Sequence, residues 1–261
     1  MTSDTDLRVS LLSTTPVKGL ALHNPDHLEV SAGGVTGDRA FFLVQDGGEL
    51  ISCTDLGDLM RHRADYDPST GVLKVHGPEG LLHEDAVELG EPVVTDFYGL
   101  RDVPGHVAVG WESVFSDIAG LSVRLVLGDS GGYDVAGITL LGTSSTDALA
   151  ARNDAHPVDG RRFRMNIELS GAAPHDEDTW EGRELRLGEA VLRVGGPVKR
   201  CAATTRNPDT GVIDLQTLRM IAASRGRQET PEWGKGFYFG VYADVLNPGR
   251  IHLGDKVSLV S

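Results

Sequence analysis

The chain has 261 residues, and its 38 acidic and 24 basic side chains give it a formal net charge of −14. Apolar residues make up 40% of the chain and charged residues 24%, which is typical of a folded globular protein and excludes a disordered one. The acidic excess repels phosphate backbones, so we expect no nucleic-acid partner, and the length allows one large domain or two small ones.

The chain has no window that approaches the roughly 18 consecutive apolar residues of a membrane span. Its first ten residues carry early acids and no apolar core, which is not the pattern of a secretory signal. Two cysteines, Cys53 and Cys201, are too few for a disulfide framework or for a complete zinc site. We therefore expect a cytoplasmic protein with reduced thiols and no membrane partner.

Most of the chain consists of short segments rich in β-branched residues, separated by many of its 33 glycines. This spacing predicts many short strands joined by turns. The predicted strands, in chain order, are Leu7–Thr14, Arg39–Val44, Val72–Val75, Asp85–Leu89, Val123–Leu127, Arg164–Leu169, Glu184–Leu187, Ala190–Val194, Tyr238–Val245 and Lys256–Val260.

Three helices are predicted among these strands. The first covers Trp111–Ala119, the second begins at an N-cap Ser144 and runs to Arg152, and the third covers Leu215–Ser224 behind a capping Asp214. The fold class is therefore a β-rich α+β protein. The prolines and glycines between residues 92 and 110 place a candidate domain boundary near residues 100–120.

Cys201 has the most distinctive surroundings of any residue in the chain. Lys199, Arg200 and Arg206 stand near it, and adjacent cations lower the pKa of a thiol and favour the thiolate, which is the form that acts as a nucleophile or binds metal. Free cysteines are usually small buried apolar residues, and Cys53, without neighbouring cations, is predicted to be one. For Cys201 the sequence context alone leaves both interpretations open.

A second basic cluster begins at Arg161. On a strand, Arg162, Arg164 and Asn166 would share one face, and two guanidinium groups beside an amide suit a phosphate or an anionic ring system. Taken alone, a solvated basic strand edge explains this cluster better. The acidic run Asp176–Asp178 is predicted to be a solvated loop, and the G-x-S-x-G sequence of residues 128–132 a polar turn, because no helix follows it.

Seven segments of the chain resemble motifs of the MOSC family, which is named for the C-terminal domain of molybdenum cofactor sulfurases, and they occur in the same order as in that family. The members that the chain resembles have two domains. The segments are Pro16–Leu20, Gly37–Phe41, Leu141–Ser145, Arg162–Ile167, Glu177–Gly182, Arg200–Gly211 and Asn247–Asp255. Any one match is weak, but together they cover nearly the whole chain.

The resemblance implies a smaller N-terminal β-barrel-like domain over residues 1–119 and a MOSC β-barrel domain over residues 120–261. It further implies that the molybdenum cofactor, Mo-molybdopterin, binds the protein with Cys201 as the ligand to the metal, and that Asp209 relays protons or orients the site. By the same resemblance, a larger set of residues would hold the cofactor, namely Lys18, Arg39, Ser144, Ser145, Arg164 and Asn166.

The function implied is the reduction of small N-oxygenated substrates, such as amidoximes and N-hydroxylated bases, at a cysteine-ligated molybdenum centre. A separate electron-donor protein is also implied, because the chain shows no flavin or nicotinamide motif and has no cysteines to spare for a cluster. At three places the chain departs from the family motifs, with Gly19 and Gly142 where serine is usual and Met165 where proline is usual.

Two other functions are compatible with the same residues. The chain could carry molybdopterin, or a persulfide on Cys201, without turnover. It could also be a repurposed metal-free enzyme in which Cys201 is the nucleophile.

Overall fold

The computed structural model describes residues 6–152 and 157–260. In these ranges most of the regular structure is β-strand, and the predicted β-rich α+β class is confirmed. The strands are β1 (Arg8–Leu12), β2 (His27–Ser31), β3 (Gly34–Val35), β4 (Phe41–Gln45), β5 (Leu50–Ile51), β6 (Arg63–Asp67), β7 (Val72–Gly77), β8 (Gly80–Ala86), β9 (Glu88–Phe97), β10 (Arg101–Val109), β11 (Val123–Gly128), β12 (Ile138–Gly142), β13 (Ile167–Ser170), β14 (Glu184–Leu187), β15 (Ala190–Lys199), β16 (Gln228–Thr230), β17 (Gly234–Gly236), β18 (Tyr238–Asn247), β19 (Gly249–His252) and β20 (Val257–Val260).

Seven strands form one sheet in the order β1-β13-β12-β18-β15-β14-β20, and the sheet curls into a nearly closed barrel. The two outer strands of this order meet, because the Val257 amide donates to the Leu7 carbonyl and the Val9 amide donates to the Asp255 carbonyl. Closing the sheet removes the exposed edges that an open sheet would leave. The barrel interior is an apolar core that includes Leu12, Leu140 and Ile167.

A second group of strands lies mainly in the first half of the chain. Five strands pair in the order β5-β4-β11-β10-β9, and β6, β7 and β8 form a three-stranded meander. Their shared core includes Phe41, Trp111 and Phe115. The two halves of the sequence are interleaved, since β1 belongs to the barrel and β11 pairs with β4 and β10. The boundary between residues 119 and 120 stays a prediction.

Three α-helices pack beside the sheets: α1 (Glu112–Ala119), α2 (Thr143–Ala151) and α3 (Thr217–Arg225). All three lie where the sequence predicts helix, but two predicted caps are wrong. The N-cap of α2 is Gly142, and Ser144 is already inside the helix. The N-cap of α3 is Gln216, because the Asp214 carboxylate instead accepts hydrogen bonds from Arg162 and Asn207.

The segment before β13 is not the predicted strand. Residues 160–163 form a 3-10 helix, and Arg164 follows it in the left-handed conformation with φ +53°. Arg162 and Arg164 therefore do not share a strand face with Asn166. The local cause is Asp159, whose side chain accepts a hydrogen bond from the Arg161 amide and caps the short helix.

The acidic run Asp176–Asp178 is likewise not a solvated loop. It forms a 3-10 helix with Thr179, in which Glu177 is fully buried and accepts a hydrogen bond from Ser145. The neighbouring Asp178 pairs with Arg225 of α3. Along the described parts of the chain, none of the helices has the length and apolarity that crossing a membrane requires.

Candidate functional site

A cavity of about 740 Å³ lies between the barrel and the strands of the first half of the chain, and we call it the main cavity. Its walls come mainly from six stretches that are remote in sequence, namely residues 18–19, 52–54, 98–100, 133–136 and 162–166, and residues 198–201 at the end of β15. Five of the eight residues predicted for the site line it: Lys18, Arg39, Arg164, Asn166 and Cys201.

Cys201 follows β15 and is an exposed, free thiol. Its Sγ atom lies 3.7 Å from Thr54 Oγ1, so a side chain from the first half of the chain reaches the thiol directly. The other cysteine, Cys53, is buried and packs against Met60 and Ala203. Both cysteines border the main cavity, but Cys53 is 4% exposed and Cys201 is exposed, so Cys201 is the more accessible thiol.

Basic residues outnumber acidic ones in the lining of the main cavity. Its charged side chains are six cations, Lys18, Arg39, Arg162, Arg164, Lys199 and Arg200, against two carboxylates, Asp134 and Glu232. Two of these cations, Arg39 and Arg162, also pair with Asp38 and Asp214, which lie outside the lining, so the local excess is two positive charges in a chain whose net charge is −14. Cations concentrated in a concave site attract anions, so the cavity suits a negatively charged ligand.

Three lining residues have a strained backbone. Arg39, Tyr98 and Arg164 are non-glycine residues with φ of +47°, +59° and +53°, in the left-handed region that side chains disfavour. Only four described non-glycine residues adopt such angles, and three of these border the main cavity. Strain of this kind persists where the surrounding structure holds it, and it clusters at functional sites.

The buried carboxylate of Asp38 connects several of these residues. One oxygen accepts hydrogen bonds from the Thr15 amide and the Thr14 hydroxyl, and the other accepts from Asn166 Nδ2 at 2.9 Å and pairs with Arg39. Arg39 in turn donates to the Arg164 carbonyl at 2.8 Å. These hydrogen bonds fix the direction in which Arg39 points. They also engage the side-chain amide of Asn166, which bonds to other groups of the protein.

The two predicted serines lie outside the lining of the main cavity. Ser145 is fully buried, donates to Glu177 Oε2 at 2.9 Å and accepts from the His175 amide. The neighbouring Ser144 hydroxyl is buried, and among the described residues it has no hydrogen-bond partner. The structure therefore gives Ser145 an internal role in the barrel, and a role of either serine in holding a cofactor stays a prediction.

Asp209, predicted as a proton relay, lies on a separate cavity of about 170 Å³. Its carboxylate accepts two hydrogen bonds from Arg161, at 2.8 and 3.0 Å. Arg161 is shared with Asp159, and the two carboxylates raise its pKa further above its ordinary value. Arg164 borders both cavities, whereas Asp209 and Cys201 each line only one of them.

Sequence reasoning did not select four other residues of the lining. Arg200 donates to the Phe163 carbonyl and stacks on the Phe163 ring, and burial lowers the pKa of its guanidinium. Burial also raises the pKa of Tyr242 to about 12 and that of Tyr98 above its ordinary value. Asp134 lies in the loop between β11 and β12 and pairs with Lys18. Of the four, only Arg200 carried a signal, as the residue that precedes the thiol.

The donors of the main cavity fit an anionic cofactor that brings its own metal. The side chain of Lys18 is 10% exposed, and the buried Nε atoms of Arg162 and Arg200 have no partner among the described residues. A soft thiolate is a suitable ligand for a soft metal. Within residues 6–152 and 157–260, no three histidine, cysteine or acidic side chains converge on one point, so such a metal would take its other ligands from the cofactor.

Comparisons with known proteins match most of the chain. A family model described as MOSC domain matches residues 129–258. The human protein named mitochondrial amidoxime-reducing component 1 is 34% identical in an alignment 232 positions long that covers 81% of this chain and 66% of that protein. The Bos taurus protein named mitochondrial amidoxime reducing component 2 is 32% identical in an alignment 283 positions long, gaps included, that covers 95% of this chain and 82% of that protein.

A more distant relative carries a different name. The Oryza sativa subsp. japonica protein named molybdenum cofactor sulfurase is 25% identical in an alignment 283 positions long, gaps included, that covers 92% of this chain and 33% of that protein. The chain therefore spans just under two thirds of the human relative and one third of the rice relative.

Proposed function

The chain belongs to the MOSC domain family, and on that premise we propose that it is a molybdenum-cofactor-dependent oxidoreductase that reduces N-oxygenated compounds. One observation carries the proposal. The exposed thiol of Cys201 lies in a cavity lined by six cations, in a protein that is otherwise strongly acidic. A carrier of molybdopterin would need the cations, but it has less need of an open space beside the thiol.

Lys18, Arg39 and Arg164 would hold the anionic part of the cofactor, with Arg200 beside them. Each of the first three is fixed by hydrogen bonds to backbone carbonyls, from Lys18 to Gly132, from Arg39 to Arg164 and from Arg164 to Leu20. Fixed cations bind an anion without first losing side-chain freedom, which favours affinity. Cys201 would supply the protein's ligand to molybdenum.

The bound cofactor supplies the two-electron exchange that the reaction requires. Overall, two electrons and two protons are consumed: the N–O bond of the N-hydroxylated substrate is cleaved, one proton forms a new N–H bond on the nitrogen, and the other joins the departing hydroxyl to give water. The protein would hold the N–O nitrogen of the substrate in the main cavity near Cys201, and it would limit the access of bulk water.

A separate electron-donor protein and a small-molecule substrate complete the proposal. The names of the human and bovine relatives refer to amidoxime reduction, and the rice relative's name refers to the molybdenum cofactor. These names support both the cofactor and the substrate class. A cytoplasmic location belongs to the same proposal, supported by the two free cysteines.

The test is reduction of benzamidoxime to benzamidine by the protein produced in a host that makes the molybdenum cofactor, with chemically reduced methyl viologen as the electron source. We expect turnover that scales with the molybdenum content of the preparation. Protein from a host that cannot make the cofactor is the control and is expected to be inactive.

Two results would contradict the proposal. Bound molybdopterin without turnover of benzamidoxime or another N-hydroxylated compound would favour the carrier function. Activity that persists without molybdenum and is blocked by thiol alkylation would favour a metal-free enzyme with Cys201 as its nucleophile.

A further inference from the structure

The main cavity contains a carboxylate, that of Asp134, among its cations, and Asp134 is not one of the predicted site residues. Asp134 belongs to the loop of residues 129–137 between β11 and β12, and its Oδ1 accepts a hydrogen bond from Lys18 Nζ at 2.6 Å. Its side chain is 46% exposed although it lines the cavity. In the described parts of the chain, the second oxygen, Oδ2, accepts no hydrogen bond.

The loop that carries Asp134 is held by side chains on both sides of it. Lys18 also donates to the Gly132 carbonyl at 3.0 Å, and Arg101 donates to the Gly131 carbonyl at 2.9 Å. The ring of Tyr133 lies against the Arg101 guanidinium, and its hydroxyl donates to the Gly33 carbonyl. The carboxylate is therefore presented by an anchored segment, and Lys18 orients it by one oxygen.

Asp134 and Cys201 line the same cavity, together with the phenols of Tyr98 and Tyr242. Burial raises the pKa of both phenols, that of Tyr242 to about 12, and the charge of Asp134 adds to each rise. Asp134 and Cys201 therefore border one space.

A carboxylate with a free oxygen accepts hydrogen bonds from N–H groups, and it binds amidinium and guanidinium groups especially well because their paired N–H donors match its geometry. Most other lining side chains with a charge are donors and cannot accept an N–H. From this arrangement we infer that Asp134 orients the substrate. Its carboxylate accepts a hydrogen bond from an amino group that is bonded to the same carbon as the N–O nitrogen.

This inference rests on the proposed function and adds a selectivity to it. An amidoxime has an amino group beside its N–O nitrogen, and an aldoxime of the same shape lacks that group. Asp134 distinguishes the two, and the carboxylate also holds the amidine product. Lys18 is then a positioning residue for Asp134 as well as a cation for the cofactor.

The experiment compares the wild-type protein, loaded with cofactor, with Asp134→Asn. The matched control is Asp129→Asn, which removes a carboxylate from the same loop at a position beside His106 and outside the lining of the cavity. Steady-state kcat and KM are measured with benzamidoxime and with benzaldoxime, and the dissociation constant of benzamidine is measured by calorimetry. Equal molybdenum content in the three proteins is checked first.

Loss of a hydrogen bond to a charged group lowers affinity by about tenfold to hundredfold. We expect Asp134→Asn to raise KM for benzamidoxime and the dissociation constant of benzamidine by that factor, with kcat changed by less than about threefold, and to leave benzaldoxime kinetics unchanged. Asp129→Asn is expected to match the wild type with every compound.

Unchanged benzamidoxime KM and benzamidine binding in Asp134→Asn would overturn the inference, and so would an equal loss with benzaldoxime. Neither result would touch the proposed function, because the enzyme would still reduce an N–O bond. That function fails separately, if the wild-type protein with bound molybdenum reduces neither compound.

Discussion

The hydroxyl of Thr54 lies 3.7 Å from the sulfur of Cys201, across 147 positions of the sequence. The contact brings the loop after β5 against the turn after β15, so the thiol stands where the barrel meets the strands of the first half of the chain. A second contact ties the same two regions together, because Arg206 donates to the Thr54 carbonyl at 3.0 Å. The candidate site is therefore built by the association of the two halves.

Asp214 is predicted to stabilise the fold more than Asp209, although both accept two hydrogen bonds from an arginine. Arg162, the partner of Asp214, is buried, whereas the exposed Asp209 holds a half-exposed Arg161. Asp214→Asn weakens the pairing of a buried guanidinium and should lower the free energy of unfolding by about 1.5–3 kcal/mol. Asp209→Asn should cost less than about 1 kcal/mol.

Urea unfolding of the two variants measures the difference. A loss for Asp209→Asn as large as that for Asp214→Asn would show that burial of the arginine does not set the energy of these pairs. The same comparison tests whether Asp209 has a structural role at all.

Gly19 is predicted not to tolerate a side chain, although the family motif that this segment resembles has serine there. Its φ is +94°, and a Cβ atom there would stand 2.9 Å from the backbone nitrogen of Cys53. Gly19→Ala should therefore lower the free energy of unfolding by about 2–5 kcal/mol, the sum of a left-handed backbone and a close contact.

Gly71 provides the matched control, since its φ is +70° and a Cβ atom would meet nothing within 4 Å. Gly71→Ala should cost only about 1–2 kcal/mol, for the backbone alone. Equal losses at the two positions, measured by urea unfolding, would mean that the contact with Cys53 relaxes without cost.

Glu168 is predicted to make the protein less stable as the pH rises from about 4.5 to 7. Burial is the main cause that raises the pKa of this carboxyl to about 7, from an ordinary value of 4.5. Below pH 4.5 the group is protonated in both the folded and the unfolded chain, so it costs nothing. As the pH rises toward 7 the unfolded chain ionises first, and the folded state loses about 3 kcal/mol relative to it.

Glu168→Gln should remove this loss, so that the free energy of unfolding of the variant falls less between pH 5 and pH 8 than that of the wild type. Glu88→Gln, on an exposed strand position, is the control and should keep the wild-type pH dependence. Parallel curves for wild type and Glu168→Gln would contradict the prediction.

The sequence predicted the class of fold and all three helices, because apolar spacing and turn residues are local properties. It also selected five residues that share the main cavity, through motifs that lie far apart along the chain. Two of these, Arg39 and Arg164, have left-handed backbones, which no propensity scale assigns to arginine.

The remaining site residues depend on tertiary contacts that local sequence does not record. Asp209 follows the thiol closely along the chain, but Arg161 holds it on another cavity. Ser145 sits in a recognisable motif and yet is turned toward Glu177. Asp134 belongs to none of the sequence motifs, and it reaches the site because its loop packs against Lys18.

The most direct test of the account is the molybdenum content of purified protein from a cofactor-producing host, compared between the wild type and Cys201→Ala by elemental analysis. Because Cys201 is exposed, the variant should unfold at the wild-type urea concentration within error. The account predicts close to one molybdenum per wild-type chain and nearly none in the variant. Metal retained at the wild-type level in a folded Cys201→Ala protein would contradict it.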